Sequence, residues 1–446
     1  MTARLFGTDG MRGVAYAMPL DRPTVTRLGA ALGAYLREFS LPNHILLAGD
    51  TRASTAILAS WAGGAFLKAG GAVTWAGVLP TPAVSHLVRD VGGFGTGMIV
   101  SASHNPAADN GIKLVAGDGS KWREADERRL EEGLLGITDE PEVETLPDPD
   151  ATLGERYLEL LVRTLPPRAL AGTTLVVDAA NGAGSPFAGA LLARLGAEVV
   201  AIHSAPDGTN INKGCGALHP STLAAQVVRH GADAGIALDG DADRAILITH
   251  AGRVLDGDEI LLLWGKALHE AGRLPRDTVV ATVMSNLGLE VALREIGVRV
   301  VRCAVGDREV WETMRRVGAA LGGEQSGHVI CSHLSVTGDG LLTAAHVLAH
   351  VRERGVSLED AARMLRFPQV LVNVRVGRRR PLADVPELTA AITETETAFA
   401  GAGRVLVRYS GTEPLLRIMV EASNKEQAET TAHSLAEVAR RHLGEA

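Results

Sequence analysis

Short apolar segments alternate with segments of helical spacing along most of this chain, and no other feature restricts its fold as much. The strand-like segments are 44–48, 72–76, 175–177, 199–202, 235–238, 279–283 and 299–303, and the helical ones are 24–39, 54–68, 186–194, 223–229, 259–269, 287–294 and 308–315. Strands and helices that alternate in this way pack as layered α/β domains with largely parallel sheets. The pattern therefore predicts an α/β fold.

Three segments share a finer pattern, in which a short strand of small or apolar residues runs directly into a polar loop. Their sequences are GMIVSASHNP at 97–106, GIALDGDADR at 235–244 and AALGGEQSGH at 319–328. Each loop follows the carboxyl end of a strand, which is where ligand sites of open α/β sheets lie. We therefore predict three similar α/β domains with mostly parallel mixed sheets, each presenting one loop to a shared site.

The last part of the chain follows a different order of elements. Its pattern predicts strand 370–376, helix 388–399, strands 404–408 and 415–421, and helix 425–442. This order is typical of an α+β domain with an antiparallel sheet. Together with an acidic, proline-bearing linker at 140–149, it predicts four domains around a central cleft, with bounds 1–148, 149–252, 253–367 and 368–446.

The composition is that of a globular protein whose ligand is small. Of the 446 residues, 46% are hydrophobic and 22% are charged, which excludes disorder as the main description. At roughly 150 residues per domain, this length allows three or four domains. The net charge is −8 and the longest run of Lys and Arg is 378–380, so we expect no nucleic-acid partner.

Cysteine usage and hydropathy predict a cytoplasmic protein. Cys215, Cys303 and Cys331 lie far apart without a CxxC pair, which indicates neither a disulfide framework nor a zinc ribbon. The N-terminal segment lacks an apolar core of signal-peptide length, and no run approaches the roughly 18 apolar residues of a membrane-spanning helix. We therefore expect a reducing compartment and no membrane partner.

Three aspartates, Asp239, Asp241 and Asp243, alternate in the second loop. In extended backbone they would point the same way, and their carboxylates would repel one another unless a cation binds there. Oxygen ligands favour a hard divalent ion, above all Mg²⁺ in a phosphate site. An EF-hand does not fit, because Arg244 stands where that loop needs glycine. A solvated acidic turn is the alternative, but the apolar strands on both sides favour a buried metal site.

The first loop carries Ser101 and Ser103 directly after an apolar strand. Neither serine lies in the GxSxG elbow of the α/β-hydrolases, which argues against that kind of nucleophile. A phosphorylated serine would instead bring negative charge and oxygen ligands for a metal. A polar turn that ends at Pro106 is the alternative on this segment alone. Lys113 is a candidate proton acceptor or phosphate clamp, or else a solvated charge.

The third loop carries Glu324, Ser326 and His328 at alternating positions. Carboxylate and hydroxyl suit the recognition of neighbouring sugar hydroxyls, and a histidine can move a proton near neutral pH. A structural histidine with satisfied hydrogen bonds is the alternative for His328.

The segment VRYSGTEPLLR combines two guanidinium groups with two hydroxyls and a glycine. These groups make a suitable nest for a dianionic phosphate, formed by Arg408, Ser410, Gly411, Thr412 and Arg417. Arg12 adds a further cation on a glycine-rich turn near the start of the chain. No GxxxxGK[ST] loop is present, which disfavours direct use of a nucleoside triphosphate.

Taken together, the segments SASHNP, DGDADR, GEQSGH and RYSGTEPLLR resemble, in this order, the four signature loops of the α-D-phosphohexomutase superfamily. In that superfamily they are the phosphoserine, metal, sugar and phosphate loops. The resemblance extends over essentially the whole chain. The further segments FGTDGMRG, NINKGCGALHP, TVMSNLGLE and VGDRE resemble the bacterial members that act on glucosamine phosphates.

The resemblance implies a role for each candidate residue. Ser103 would carry the phosphate and, with the three aspartates, hold one Mg²⁺ per chain. Around the transferred phosphoryl group the resemblance places Arg12, Lys113, Arg244 and His328. Glu324 and Ser326 would bind sugar hydroxyls, and the phosphate that is not being transferred would be bound by Arg408, Ser410, Gly411, Thr412 and Arg417. One segment departs from the superfamily pattern: AGDTR, around Asp50 and Arg52, has Gly49 where the usual GRDTR has its first arginine, so whatever that arginine contributes in the superfamily is in doubt for this chain.

The implied reaction interconverts glucosamine 6-phosphate and glucosamine 1-phosphate through a sugar 1,6-bisphosphate, and so supplies UDP-N-acetylglucosamine and cell-wall precursors. A phosphomannomutase/phosphoglucomutase with the same machinery is the first alternative, because no residue named above distinguishes an amine from a hydroxyl on the sugar. A non-enzymatic phosphosugar-binding protein is the second alternative. The sequence leaves open whether the chain forms a homodimer.

Overall fold

The computed structural model describes residues 4–7, 9–377, 379–410 and 413–444. The chain divides into two compact units: residues up to 282 together with 303–363 form the first unit, and 283–302 together with residues from 364 onward form the second. No helix among the described residues is both long enough and apolar enough to cross a membrane.

The first sheet lies in the N-terminal third of the chain. Its elements are β1 (Met11–Val14), α1 (Arg22–Glu38), β2 (His44–Gly49), α2 (Thr55–Lys68), β3 (Ala72–Val78), α3 (Thr81–Val91), β4 (Thr96–Val100), β5 (Asp109–Ala116) and α4 (Glu124–Leu135). The strand order is β1-β5-β4-β2-β3. β2 pairs in parallel with β3 and β4, whereas β5 is antiparallel to β4 and β1. All five residues of β4 are buried, as expected for a central strand covered on both faces.

The second sheet has the same arrangement. Its elements are α5 (Thr152–Val162), β6 (Thr174–Asp178), α6 (Ala188–Arg194), β7 (Glu198–Ile202), α7 (Ser221–His230), β8 (Ala234–Leu238), β9 (Ala245–Thr249) and β10 (Val254–Leu255). β6 pairs in parallel with β7 and β8, and β9 is antiparallel to β8 and β10. β8 is again buried along its whole length.

The third group of elements continues to residue 361. It comprises α8 (Gly257–Glu270), β11 (Thr278–Thr282), α9 (Leu287–Glu295), β12 (Arg299–Cys303), α10 (Asp307–Val317), β13 (Leu321–Gly323), β14 (Val329–Cys331), α11 (Gly340–Glu353) and α12 (Leu358–Ala361). Within the first unit, β11 pairs in parallel with β13, and β13 is antiparallel to β14. Helix α9 and residues 299–302 belong to the second unit.

A three-stranded antiparallel sheet forms most of the second unit. Its elements are β15 (Gln369–Arg375), α13 (Pro386–Phe399), β16 (Gly403–Tyr409), β17 (Leu415–Ala422) and α14 (Lys425–Leu443). β17 is the central strand, and both neighbours run antiparallel to it. The apolar faces of α13 and α14 cover the sheet and give this unit a core of its own.

The repeat that the sequence predicts is present. In each of the three α/β domains, a strand that pairs in parallel with an earlier strand ends in a polar loop: β4 with β2, β8 with β6, and β13 with β11. The next strand then runs antiparallel to it: β5, β9 and β14. The prediction of three similar α/β domains followed by a C-terminal α+β domain is therefore confirmed. Segment 140–149 contains neither helix nor strand, and Glu144 hydrogen-bonds to the backbone of Gly64 in α2.

Candidate active site

Ser103 occupies a strained, buried turn just beyond β4. Its φ is +50°, in the left-handed region that side chains other than glycine rarely adopt. The turn is held because the Ser103 backbone N–H donates to Ser101 Oγ over 3.0 Å, and Ser101 Oγ donates to Asp50 Oδ2 over 2.6 Å. Strain of this kind persists only where the surroundings fix the conformation, which is common at functional sites.

The hydroxyl of Ser103 contacts the aspartate loop directly. Ser103 Oγ donates to Asp239 Oδ2 over 2.6 Å, although the two residues are 136 positions apart in the chain. The loop after β8 therefore meets the loop after β4, as expected for two strand ends that share one site.

The three aspartates form a group that can hold a metal ion. One oxygen from each of Asp239, Asp241 and Asp243 lies within 4.8 Å of the others, and all three residues are buried. Oδ1 of Asp241 and Oδ1 of Asp243 accept no hydrogen bond from any residue that the structure describes. Buried carboxylate oxygens without donors require a cation to offset their desolvation, so the donor set fits a hard divalent ion.

Electrostatics within the group point to the same requirement. Burial and the neighbouring carboxylates of Asp243 and Asp241 raise the pKa of Asp239 well above its ordinary value. Burial and Asp241 raise the pKa of Asp243. Burial also opposes ionisation of Asp241, but the Lys113 ammonium and a 2.6 Å hydrogen bond from Thr81 Oγ1 hold its pKa below the ordinary value. Lys113 beside Asp241 and Arg244, whose Nε lies 3.7 Å from Asp243 Oδ1, are two cations for three carboxylates, which leaves a net negative charge for a bound cation to offset.

Two further cations, Lys113 and Arg12, lie near the aspartate group, and both form ion pairs with Asp9. Lys113 Nζ lies 2.9 Å from Asp241 Oδ2 and 3.2 Å from Asp9 Oδ2. Arg12 pairs with the same oxygen of Asp9 and donates to the carbonyl of Ala102 over 3.2 Å. Burial disfavours the charged form of Lys113, but Asp241 and Asp9 more than offset this and raise its pKa. Lys113 is therefore a fixed cation at neutral pH.

Arg52 hydrogen-bonds to the backbone of the loop that carries Ser103, residues 101–106. The sequence analysis did not predict this contact. Its buried guanidinium donates to the carbonyls of Ser103, Asn105 and Pro106 over 2.9, 2.9 and 2.6 Å, and to Asp50 Oδ2 over 2.9 Å. A Cβ at the preceding Gly49 would lie 2.4 Å from Thr55 Cγ2 and 2.6 Å from the carbonyl oxygen of Val100. The close approach of the strand end thus explains glycine at position 49.

The loop that carries Glu324, Ser326 and His328 contacts the aspartate loop through its backbone. Arg244 and His328 form an antiparallel bridge between the two loops. His328 is buried, and its Nε2 accepts from the backbone N–H of Gly338 over 3.2 Å, which leaves Nδ1 as the protonated nitrogen of the neutral ring. Nδ1 is buried and has no hydrogen-bond partner among the described residues.

The other predicted residues of this loop differ in exposure. Glu324 is buried, and its Oε1 accepts from the backbone N–H of Gly306 over 3.0 Å. Ser326 is exposed. Arg244 lies between the two loops, and its backbone N–H donates to Asp239 Oδ1 over 3.2 Å. Its Nε is buried, lies 3.7 Å from Asp243 Oδ1 and has no hydrogen-bond partner among the described residues.

His104, next to Ser103, is a further member of the site. Its Nδ1 lies 3.3 Å from Ser103 Oγ. Burial, followed by the charges of Arg244 and Arg12, lowers the pKa of His104 to about 4, so the ring is neutral near pH 7. His104 therefore adds a hydrogen-bonding group beside the serine without adding charge.

The predicted phosphate loop lies in the second unit, at the turn between β16 and β17. Arg408 and Arg417 are directly paired across the two strands, so their side chains share one face of the sheet. Ser410 is buried, and Arg379 donates to its carbonyl over 2.7 Å, which adds a cation that the sequence analysis did not name. Gly411 and Thr412 lie outside the described residues.

The chain matches four consecutive domains of one family. Residues 3–140, 155–252 and 256–367 match the phosphoglucomutase/phosphomannomutase α/β/α domains I, II and III. Residues 371–438 match the C-terminal domain of the same family.

Solved structures share this fold over nearly the whole chain. A phosphoglucomutase/phosphomannomutase family protein from Burkholderia thailandensis has a TM-score of 0.82 at 24% identity, covering 98% of this chain and 97% of its own. The N-acetylphosphoglucosamine mutase of Aspergillus fumigatus, solved with GlcNAc-6P and magnesium, has a TM-score of 0.62 at 19% identity, covering 98% and 96%. At these identities the likeness concerns the fold.

Curated relatives are much more similar in sequence. The phosphoglucosamine mutase of Solibacter usitatus is 46% identical over 100% of both chains. That of Symbiobacterium thermophilum is also 46% identical, over 99% of both chains. Likeness of this extent shows that the chain belongs to the phosphoglucosamine mutase branch of the phosphoglucomutase/phosphomannomutase family.

Proposed function

We propose that this enzyme interconverts glucosamine 6-phosphate and glucosamine 1-phosphate through a phosphorylated Ser103. The observation that carries the proposal is the 2.6 Å hydrogen bond from Ser103 Oγ to Asp239, inside a group of three buried carboxylates. A hydroxyl that lies against a metal-type site and beside three cationic side chains is suited to carry a phosphate rather than to attack a carbonyl.

In the proposed reaction, phosphorylated Ser103 gives its phosphoryl group to the free hydroxyl of a sugar monophosphate. The P–O bond to Ser103 breaks, a P–O bond to the sugar forms, and the proton lost by the sugar hydroxyl balances the one gained by Ser103 Oγ. The resulting bisphosphate turns around, and its other phosphoryl group returns to Ser103. Transfer of this kind depends mainly on positioning and on stabilising charge.

Asp239, Asp241 and Asp243 would hold one Mg²⁺ together with a phosphate oxygen of phosphorylated Ser103. When bound, that ion supplies positive charge against the transferring phosphoryl group. Arg12, Lys113 and Arg244 supply further fixed cations, which their acidic neighbours hold in place. His328 Nδ1 is assigned to hydrogen bonding with the substrate, and Glu324 and Ser326 to the sugar hydroxyls.

The second phosphate of the substrate is assigned to the loop between β16 and β17. Arg408 and Arg417 provide paired guanidinium groups there, with Ser410, Gly411 and Thr412 as further donors. We also assign the enzyme to the cytoplasm, since its three cysteines are free and buried, as in proteins of a reducing compartment.

The first test replaces the proposed phosphate carrier. Ser103→Ala removes the only oxygen that can carry the phosphate in this mechanism, so mutase activity should fall by about 10⁴-fold or more. Intact-mass spectrometry of the wild-type protein should show a phosphate-sized addition that maps to Ser103 and is absent from the variant.

Ser101→Ala is the matched control, because it removes a neighbouring hydroxyl from the same loop. It should lower activity only in part and leave the phosphate on Ser103. Substantial turnover by Ser103→Ala would remove this residue from the mechanism. Rates on glucosamine, glucose and mannose 6-phosphates, measured side by side, test the assigned substrate.

A further inference from the structure

Asp307 lies next to the part of the site assigned to the sugar. It is the first residue of α10, and the preceding residue, Gly306, donates its backbone N–H to Glu324 Oε1 over 3.0 Å. The backbone of this turn therefore touches the carboxylate assigned to the sugar hydroxyls. Asp307 follows directly after the residue that is hydrogen-bonded to Glu324.

The charge of Asp307 is only partly offset. Lys121 Nζ lies 3.1 and 3.0 Å from its two carboxylate oxygens, and is the one cation within ion-pair distance among the described residues. The same ammonium lies 2.6 Å from Asp9 Oδ1, so one positive charge is shared between two carboxylates. Burial disfavours ionisation, but Lys121 lowers the pKa of Asp307, which keeps it charged at neutral pH.

Asp307 is also within reach of a ligand. It lines a cavity of about 940 Å³ together with Lys121 and His328; Trp122, Arg308 and Trp311 line the same cavity, whereas Ser103 and Glu324 do not. The side chain of Asp307 is 31% exposed, whereas that of Asp241 is 1% exposed and belongs to the metal-type group. Asp307 is thus a carboxylate beside the sugar loop that has no role in holding the metal.

The charge of the proposed substrate would favour a carboxylate at this place. Amines next to electron-withdrawing groups titrate at about 8, so the amine at the second carbon of glucosamine is mostly an ammonium near pH 7. Glucose and mannose phosphates carry a neutral hydroxyl at that carbon. A site that must bind a cation between two anionic phosphates needs a local negative charge, which a site for neutral sugars does not.

We infer that Asp307 binds the ammonium group at the second carbon of the sugar and sets the preference for amino sugars over neutral ones. The inference rests on the proposed function and names a specificity residue for it. Lys121 has a positioning role, because its bonds to Asp9 and Asp307 orient the carboxylate without neutralising both acids. Since Asp9 also contacts Lys113, the sugar subsite is tied to the phosphoryl-transfer site.

The test is Asp307→Asn, assayed on two substrates. Asparagine keeps the size of the side chain and removes its charge. We expect kcat/KM for glucosamine 6-phosphate to fall by about 10- to 100-fold, since a hydrogen bond to a charged group is lost. For glucose 6-phosphate we expect kcat/KM to remain within about twofold, and its turnover also reports that the variant is folded.

Glu312→Gln is the matched control. Glu312 is an exposed acid on the same helix that lines the same cavity, and its substitution removes one negative charge without touching Asp307. The ratio of the two kcat/KM values should stay at the wild-type value. An equal change in that ratio would mean that overall charge, and not Asp307, sets the preference.

Two results overturn the inference in distinguishable ways. The first applies where the wild-type enzyme prefers the amino sugar. If Asp307→Asn retains that preference, or loses activity equally on both substrates, Asp307 does not bind the amine. If the wild-type enzyme prefers glucose 6-phosphate, the proposed function itself is wrong and the inference with it.

Discussion

Among single residues, Arg52 makes several hydrogen bonds to the loop that carries Ser103. It lies 51 positions before Ser103, yet it donates to the carbonyls of three residues of the serine loop. Because Ser103 holds a φ of +50°, these bonds offset the cost of the left-handed turn and aim Oγ at Asp239. Asp50 balances the buried guanidinium, with both side chains fully buried.

Arg52→Lys should therefore affect both catalysis and stability. A single ammonium cannot reach Asp50 and three carbonyls together, so bonds in the buried network are lost. We expect the free energy of unfolding to fall by about 2–3 kcal/mol. We also expect kcat to fall by about 10- to 100-fold with a smaller change in KM, because the displaced group is Ser103.

Urea unfolding and steady-state kinetics measure these two effects. Arg37→Lys is the control, since Arg37 is exposed and its NH1 donates to the carbonyl of Ala69. Its effect on stability should stay within about 0.5 kcal/mol. Wild-type kcat in Arg52→Lys would show that the serine loop keeps its conformation without the guanidinium.

Sequence reasoning could foresee some of these residues and not others. Ser103 and Asp239 follow apolar strands, and parallel strand ends meet at one edge, so their neighbourhood could be predicted. Asp9 and Asp307 stand alone in the sequence, and only folding brings them to Lys121. No strand or helix pattern around either aspartate indicates that Lys121 is its partner.

Among the elements, helix α11 has the closest link to the site. Asp339 caps its first turn by accepting from the Leu342 backbone N–H over 2.9 Å, and Tyr157 donates to the same carboxylate over 3.0 Å. A Cβ at Gly338 would lie 2.5 Å from the His328 ring, and one at Gly340 would lie 2.3 Å from the Arg244 carbonyl oxygen. The docking of α11 thus fixes the space around both loops.

Protonation of His346 should destabilise the packing of α11 against Trp264 and Thr164, so the stability of the protein should depend on pH. Its ring stacks on Trp264 of α8 with centroids 5.5 Å apart, and Nε2 lies 2.9 Å from Thr164 Oγ1. Burial, followed by the charge of Arg273, lowers the pKa of His346 to about 4 from 6.5. The unfolded chain therefore binds more protons between these values, and stability should fall by up to about 3 kcal/mol as pH drops from about 6.5 to 4.

Chemical unfolding at several pH values measures this loss. His346→Gln keeps a donor for Thr164 and cannot titrate, so its stability should depend less on pH in this range. The exposed residue His433 provides the control, and His433→Gln should follow the wild-type curve. A curve for His346→Gln that is parallel to wild type would assign the acid sensitivity to other groups.

The helices that sequence reasoning missed include two that are buried along most of their length, α3 and α11, and two amphipathic ones, α4 and α5. Residues 81–88 of α3 are all buried, so no amphipathic stripe distinguishes this helix from a loop or strand. Helix α11 is likewise buried along most of its length. By contrast, α14 has one apolar face over the core of the second unit, and its predicted range, 425–442, differs by one residue from the observed helix.

Across the whole molecule, repetition of one α/β unit assembles the site in the first unit. Each repeat contributes the loop that follows a buried strand, and the three loops touch through Ser103 and Asp239 and through Arg244 and His328. The second unit has its own core and carries the loop between β16 and β17. In the proposed function the two parts bind different ligands, a divalent cation for the first and a phosphate for the second.

This division predicts where Mg²⁺ should stabilise the chain. A cation that binds only the folded aspartate group stabilises that region by mass action, so amide hydrogen exchange should slow in peptides covering 101–106 and 235–244. Millimolar Mg²⁺ should slow that exchange by about tenfold or more and leave residues 369–443 unchanged. Asp241→Asn removes one of the carboxylates and should abolish the protection. Equal protection of both units, or protection that survives in Asp241→Asn, would place the cation elsewhere, because ions bound by general surface charge do not depend on one buried carboxylate.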